Sequence, residues 1–93
     1  MKEYKFSAVI RQNEDMDAAY IIVPIDIRAE FGKGRLKVHA QIDGTPYDGS
    51  IVNMGLKDSG GAICYLLGIP KAIRSRIGKS FGDGITVRFT ERI

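Results

Sequence analysis

The chain is poor in the residues that most often carry chemistry. It has one cysteine, Cys64, one histidine, His39, and no tryptophan. A lone cysteine closes no disulfide within the chain, so the fold must rest on its core, and a reducing, cytoplasmic setting is expected. A zinc site normally takes four ligands at close spacing, so no metal is expected, and no cofactor either. The opening residues Met1-Lys2-Glu3-Tyr4-Lys5-Phe6 lack the apolar core of a signal peptide. No apolar run approaches the ~20 residues that span a bilayer, and no membrane partner is expected. Gly78-Lys79-Ser80 is not a phosphate loop. Ile73 stands where that motif needs a glycine, and the helical segment precedes the loop instead of following it.

What remains is the composition of one soluble domain. Of 93 residues, 44% are hydrophobic and 27% charged, enough for one modest core. We read residues 1–93 as a single domain with halves of about 1–43 and 44–93. The net charge of +3 permits contact with nucleic acid or an acidic protein without requiring either. Basic residues fall in two stretches, Arg28, Lys33, Arg35, Lys37 and then Lys71, Arg74, Arg76, Lys79, while acids gather at Glu14, Asp15 and Asp17.

Alternation organises most of the chain. Tyr4 to Arg11 has period two, a strand signal. Gln12 to Asp17 reads as a turn and Ala18 to Val23 as a returning strand. Pro24 is expected to open a short helix carrying Ile27 and Phe31 on one face, with Gly32 as its left-handed cap. Arg35 to Asp43 alternates again, and Asp43-Gly44 signals a tight hairpin turn. Tyr47 to Met54 is the next strand, Gly55 to Gly61 a glycine-rich loop, and Ala62 to Ile69 a further strand. Pro70 opens a second short helix with Ile73 and Ile77, closed by Gly78, and Gly84 to Arg92 is the last strand.

The two helical segments repeat. Val23-Pro24-Ile25-Asp26-Ile27-Arg28 through Phe31-Gly32-Lys33 matches Ile69-Pro70-Lys71-Ala72-Ile73-Arg74 through Ile77-Gly78-Lys79 at an offset of 70 − 24 = 46 residues. Leu36 and Val38 correspond to Ile85 and Val87 once three further residues are allowed. The chain thus reads β-β-α-β twice. Half a core cannot be buried alone, so the halves are expected to pack about a pseudo-two-fold axis into one closed barrel, mostly β with two short helices.

The second copy, Ile69-Pro70-Lys71-Ala72-Ile73-Arg74 through Ile77-Gly78 and Gly82-Asp83, resembles the AbrB-type transition-state regulators and MazE-type antitoxins, which are swapped-hairpin dimers that bind DNA. The resemblance implies a double-split β-barrel, with this chain as a fused dimer. A Gly-Arg pair precedes Ile-Pro in those proteins; here the matching residues are Ala19-Tyr20 and Tyr65-Leu66. From Phe6 to Phe89 the chain also looks like the family called domain of unknown function 1905. The motifs are Val23-Pro24, Lys37-Val38-His39-Ala40, Asp43-Gly44-Thr45-Pro46-Tyr47, Gly49-Ser50 and Ile73-Arg74 to Gly78-Lys79. That family implies the barrel but no activity.

The candidate site is an anion or nucleic-acid surface made of Arg28, Lys33, Arg35, Lys37, Lys71, Arg74, Arg76 and Lys79. Arg28 and Arg74 hold equivalent places in the two copies, and a pair of guanidinium groups suits two phosphates or two carboxylates. A Cys64–His39 nucleophilic pair would need the two strands to be neighbours; a cysteine in an apolar strand is usually inert, and no catalytic residue is expected. The sequence therefore reads as a non-catalytic binding module, a monomer or weak dimer. Weak DNA contact and a protein or small-ligand partner both stay open.

Overall fold

Apolar and polar side chains alternate along residues 35–42 and 84–89, and this alternation gives the sheet one buried and one wet face. The computed structural model describes residues 3–13, 18–57, 60 and 63–92. Its elements are β1 (Glu3–Val9), β2 (Arg11–Asn13), β3 (Ala18–Val23), α1 (Ile27–Phe31), β4 (Arg35–Ile42), β5 (Thr45–Lys57), β6 (Ile63–Gly68), α2 (Lys71–Ile77) and β7 (Gly84–Glu91). The strands form one curled, half-barrel antiparallel sheet in the order β1-β7-β4-β5-β6-β3-β2. In β4, Leu36, Val38, Ala40 and Ile42 are buried, and Arg35, Lys37, His39 and Gln41 are exposed. Glu14, Asp15 and Asp17 lie outside the described residues, as do Asp58, Ser59 and Gly61 of the expected glycine-rich loop. Its first residues, Gly55 to Lys57, continue β5 instead.

The turn signals act where local chemistry demands them. Asp43 and Gly44 both take positive φ, 48° and 84°, which matches the right-handed twist of the β4–β5 hairpin. Gly32 and Gly78 end the helices at φ 69° and 68°. One helix start differs from expectation. Pro24 does not open α1; Asp26 does, accepting the Ala29 N–H at 3.1 Å. Helix initiation needs an acceptor for orphan N–H groups, and the Asp26 carboxylate supplies it. At α2 no side chain caps the helix, and it starts directly after Pro70, whose carbonyl accepts from Ile73 and Arg74.

The strand registers follow the repeat. Val23 corresponds to Ile69, so Ile21 corresponds to Leu67, and these two lie opposite each other in the β3–β6 ladder. Val38 corresponds to Val87, so Ala40 corresponds to Phe89, and these are opposite in the β4–β7 ladder. All four are buried in one core. Phe89 is 1% exposed and stacks on Tyr4 at 5.3 Å between ring centroids. Burying such a ring is worth about 1.5–3 kcal/mol. Tyr4 also meets Phe31 edge-on at 5.7 Å and donates to Glu30 at 2.9 Å, which seats α1 on β1.

Candidate anion-binding face

The exposed side of β1, β7, β4 and β5 is built by register. Lys5 lies opposite Arg88, and Arg88 opposite Gln41. The next row runs Glu3, Thr90, His39, Asp48, and beyond it Lys37 faces Ser50 and Arg35 faces Val52. Adjacent strands stand about 4.8 Å apart and alternate residues of one strand about 7 Å apart. Lys5, Arg35, Lys37 and Arg88 therefore share one open face. Like charges directly opposite each other destabilise a sheet, yet Lys5 faces Arg88 with no acid between them. Arg88 Nε reaches Glu3 at 3.5 Å. Lys5, Arg35 and Lys37 form no ion pair with any described residue.

His39 and Asp48 sit in the middle of that face, Nδ1 to Oδ1 at 2.6 Å, with side chains 56% and 55% exposed. An ionised carboxylate only accepts, so Nδ1 donates and Nε2 is the outer nitrogen.

Two shallow recesses open along the edge. One, ≈ 340 Å³, is lined by Ser7, Val9, Asp43, Lys79 and Thr86 among others. The other, ≈ 390 Å³, is lined by Lys5, Gln41, Asp43, Thr86 and Arg88 with Gly44. Between them the Asp43 carboxylate accepts from Lys79 at 2.5 Å and from the Thr86 N–H at 2.8 Å. Lys79 donates as well to the Gly84 carbonyl at 2.7 Å. The Lys79 ammonium first, and then the Thr86 N–H, holds the Asp43 carboxyl below the usual carboxylate range. Asp43 and Lys79 satisfy each other, which leaves Lys5 and Arg88 as the cations offered at this edge.

The structure divides the residues expected from sequence. Arg35 and Lys37 lie on the face just described. Val23, at the end of β3, lies opposite Tyr65 near the start of β6, and Gly68, at the end of β6, lies opposite Tyr20. The helices α1 and α2 therefore depart from opposite ends of that strand pair, and Arg28 and Arg74 go with them. Arg28 lies against Gly34, where a Cβ would come within 3.1 Å of its guanidinium. Arg74 covers the Phe81 ring at 5.1 Å. Lys33 is bound to Glu91 at 2.6 Å and Lys79 to Asp43. Lys71 and Arg76 are exposed on α2. Cys64 is half-buried on β6, and β5 lies between its strand and that of His39. Of the residues matching the Gly-Arg pair, Ala19 and Tyr65 are buried in the core.

Sequence reasoning missed Lys5, Arg88 and the His39–Asp48 pair. The last was accessible, because a two-residue turn at Asp43-Gly44 puts residue 42 opposite 45 and hence His39 opposite Asp48. Lys5 and Arg88 meet only through pairing of the two chain ends, which no local pattern encodes.

A family model described as Domain of unknown function (DUF1905) matches residues 6–89. None of the curated proteins matches the chain.

Proposed function

The chain belongs to the DUF1905 family of domains of unknown function, and we propose that it is a non-catalytic binding module whose outer face takes the phosphate backbone of a nucleic acid. The supporting observation is the set of cations on one uncovered four-stranded face: Lys5, Arg35 and Lys37 without ion pairs among the described residues, joined by Arg88. A polyanion fits such a face better than a small ligand does, because the recesses beside it are shallow and the ion pair between them is closed on itself. Phosphate contacts of this kind position a protein without reading sequence, and the mild net charge suits weak binding.

In the same reading the curled sheet closes into a double-split barrel. β1 and β2, the outer members of the strand order, are separated in the chain by Ile10 alone. In that reading one strand bent at Ile10 serves both edges, and the Ile21–Leu67 and Ala40–Phe89 pairs, in which each residue faces its equivalent in the other copy, mark the pseudo-two-fold axis. Closure removes the free edges and leaves the polar face as the surface open to a partner. The free Cys64 thiol accords with a cytoplasmic setting.

The test is fluorescence anisotropy with a labelled DNA duplex titrated across salt. Binding should weaken steeply as salt rises from about 50 mM, and the double substitution Arg35→Gln, Lys37→Gln should lower the log–log slope by about two. Lys71→Gln on α2 should leave the slope nearly unchanged. Binding indifferent to salt, or a slope insensitive to Arg35 and Lys37, would sink the proposal.

A further inference from the structure

Resting on that phosphate-binding reading, we infer that the His39–Asp48 pair regulates the face, strengthening its hold on a polyanion as the pH falls. Asp48 is an acid placed among the face's cations, and Glu3 is a second one at its edge. On β5 Asp48 lies directly opposite His39, flanked by Pro46 and Ser50. His39 is flanked on β4 by Lys37 and Gln41. From β7, Thr90 stands opposite His39 with Arg88 to one side; Arg92, just past the strand, donates its backbone N–H to the Lys37 carbonyl on the other, and Glu3 of β1 stands beyond Thr90. The charged groups around His39 are thus Lys37, Arg88 and Arg92 on one side of the balance, and Asp48 and Glu3 on the other.

Histidine is the side chain whose charge changes between pH 5 and 8. When His39 is neutral, Asp48 presents a full negative charge to an approaching phosphate. When His39 is protonated, the contact at 2.6 Å becomes an ion pair and cancels that charge. The face gains one unit of positive charge at its centre. A unit charge about 7 Å from a phosphate in water changes binding about threefold, less at high salt. His39 is the chain's single histidine, so one substitution removes imidazole chemistry from the protein altogether.

The experiment uses the labelled duplex at fixed low salt across that pH range. The native chain should bind about two- to fivefold more weakly at the upper end. His39→Gln should bind with nearly constant affinity, and Asp48→Asn should bind more tightly than the native chain at about pH 7. By linkage, the His39 imidazole followed by NMR should titrate at higher pH with duplex bound than without. A native chain whose affinity does not change with pH, or a pH dependence that survives His39→Gln, overturns this inference and leaves the face reading standing. A duplex that binds at no pH overturns both.

Discussion

Asp43 and Lys79 meet across the seam between the two repeats, Oδ2 to Nζ at 2.5 Å. The acid follows the last strand of the first copy, and the base follows the helix of the second. Lys33, which follows the helix of the first copy, meets Glu91, the last residue of β7 in the second, at 2.6 Å. Each lysine comes directly after the glycine that caps its helix, so each copy is latched to the other by the residue that follows its helix stop.

Asp43→Asn isolates the charge in that latch, because asparagine keeps the shape and tolerates the left-handed φ. The folded-state pKa of Asp43 is depressed by Lys79 and the Thr86 N–H. Its contribution is therefore present above the unfolded carboxylate value and lost as pH falls through the folded one. Urea unfolding should show a loss of about 1–2 kcal/mol at neutral pH, with the gap to the native chain narrowing in acid. A gap that widens on acidification would contradict the assignment.

Tyr47 lies over Gly49. A Cβ on Gly49 would come within 2.8 Å of the Tyr47 ring and hydroxyl, and an aromatic ring laid over a strand glycine stabilises it. Gly49→Ala should cost about 1–3 kcal/mol. In a Tyr47→Ala background the added cost of alanine should disappear, so the double-mutant cycle is expected to be strongly non-additive. Burial raises the Tyr47 hydroxyl pKa. Its share of stability is complete below the ordinary tyrosine value of about 10 and lost as pH rises through the folded value, which phenolate absorbance can follow.

Asp26→Ala removes the acceptor for the Ala29 N–H at the start of α1 and should lower stability by about 1 kcal/mol. Pro70 makes no side-chain cap at α2, so Pro70→Ala tests only backbone rigidity. Hydrogen exchange should show faster opening of the first turn of α1 in Asp26→Ala with α2 unchanged.

These sites mark how far local sequence reaches. The hairpin at Asp43-Gly44 and the helix ends at Gly32 and Gly78 were legible because positive φ selects few residues. The start of α1 departs from the proline signal because proline geometry and an aspartate acceptor compete within three residues, and hydrogen bonding wins. Arg35 and Lys37 were legible as an exposed strand face. Their grouping with Lys5 and Arg88 was not, since it depends on β1 pairing with β7 across nearly the whole chain. Arg28 and Arg74 were matched by equivalence in the repeat. Equivalence under antiparallel pairing of β3 and β6 sends such residues to opposite ends, not to a common patch.

The same pairing makes a prediction about folding. Among the described strands, β2–β3 and β5–β6 pair within a copy, whereas β1–β7, β3–β6, β4–β5 and β4–β7 pair between copies. The within-copy pairs are hairpins, which are marginal in water alone. The buried pairs Ile21–Leu67 and Ala40–Phe89 form across the seam, so each copy alone leaves part of this core without its cover. A chain divided at the Asp43-Gly44 turn should therefore yield two fragments, neither of which unfolds cooperatively by circular dichroism. Mixed in equal amounts, they should assemble and regain a cooperative transition whose midpoint rises with concentration, because the turn no longer makes the association intramolecular. A half that folds alone would show that the core is divided by copy and not shared, and the latches at Asp43–Lys79 and Lys33–Glu91 would then join finished units instead of completing one.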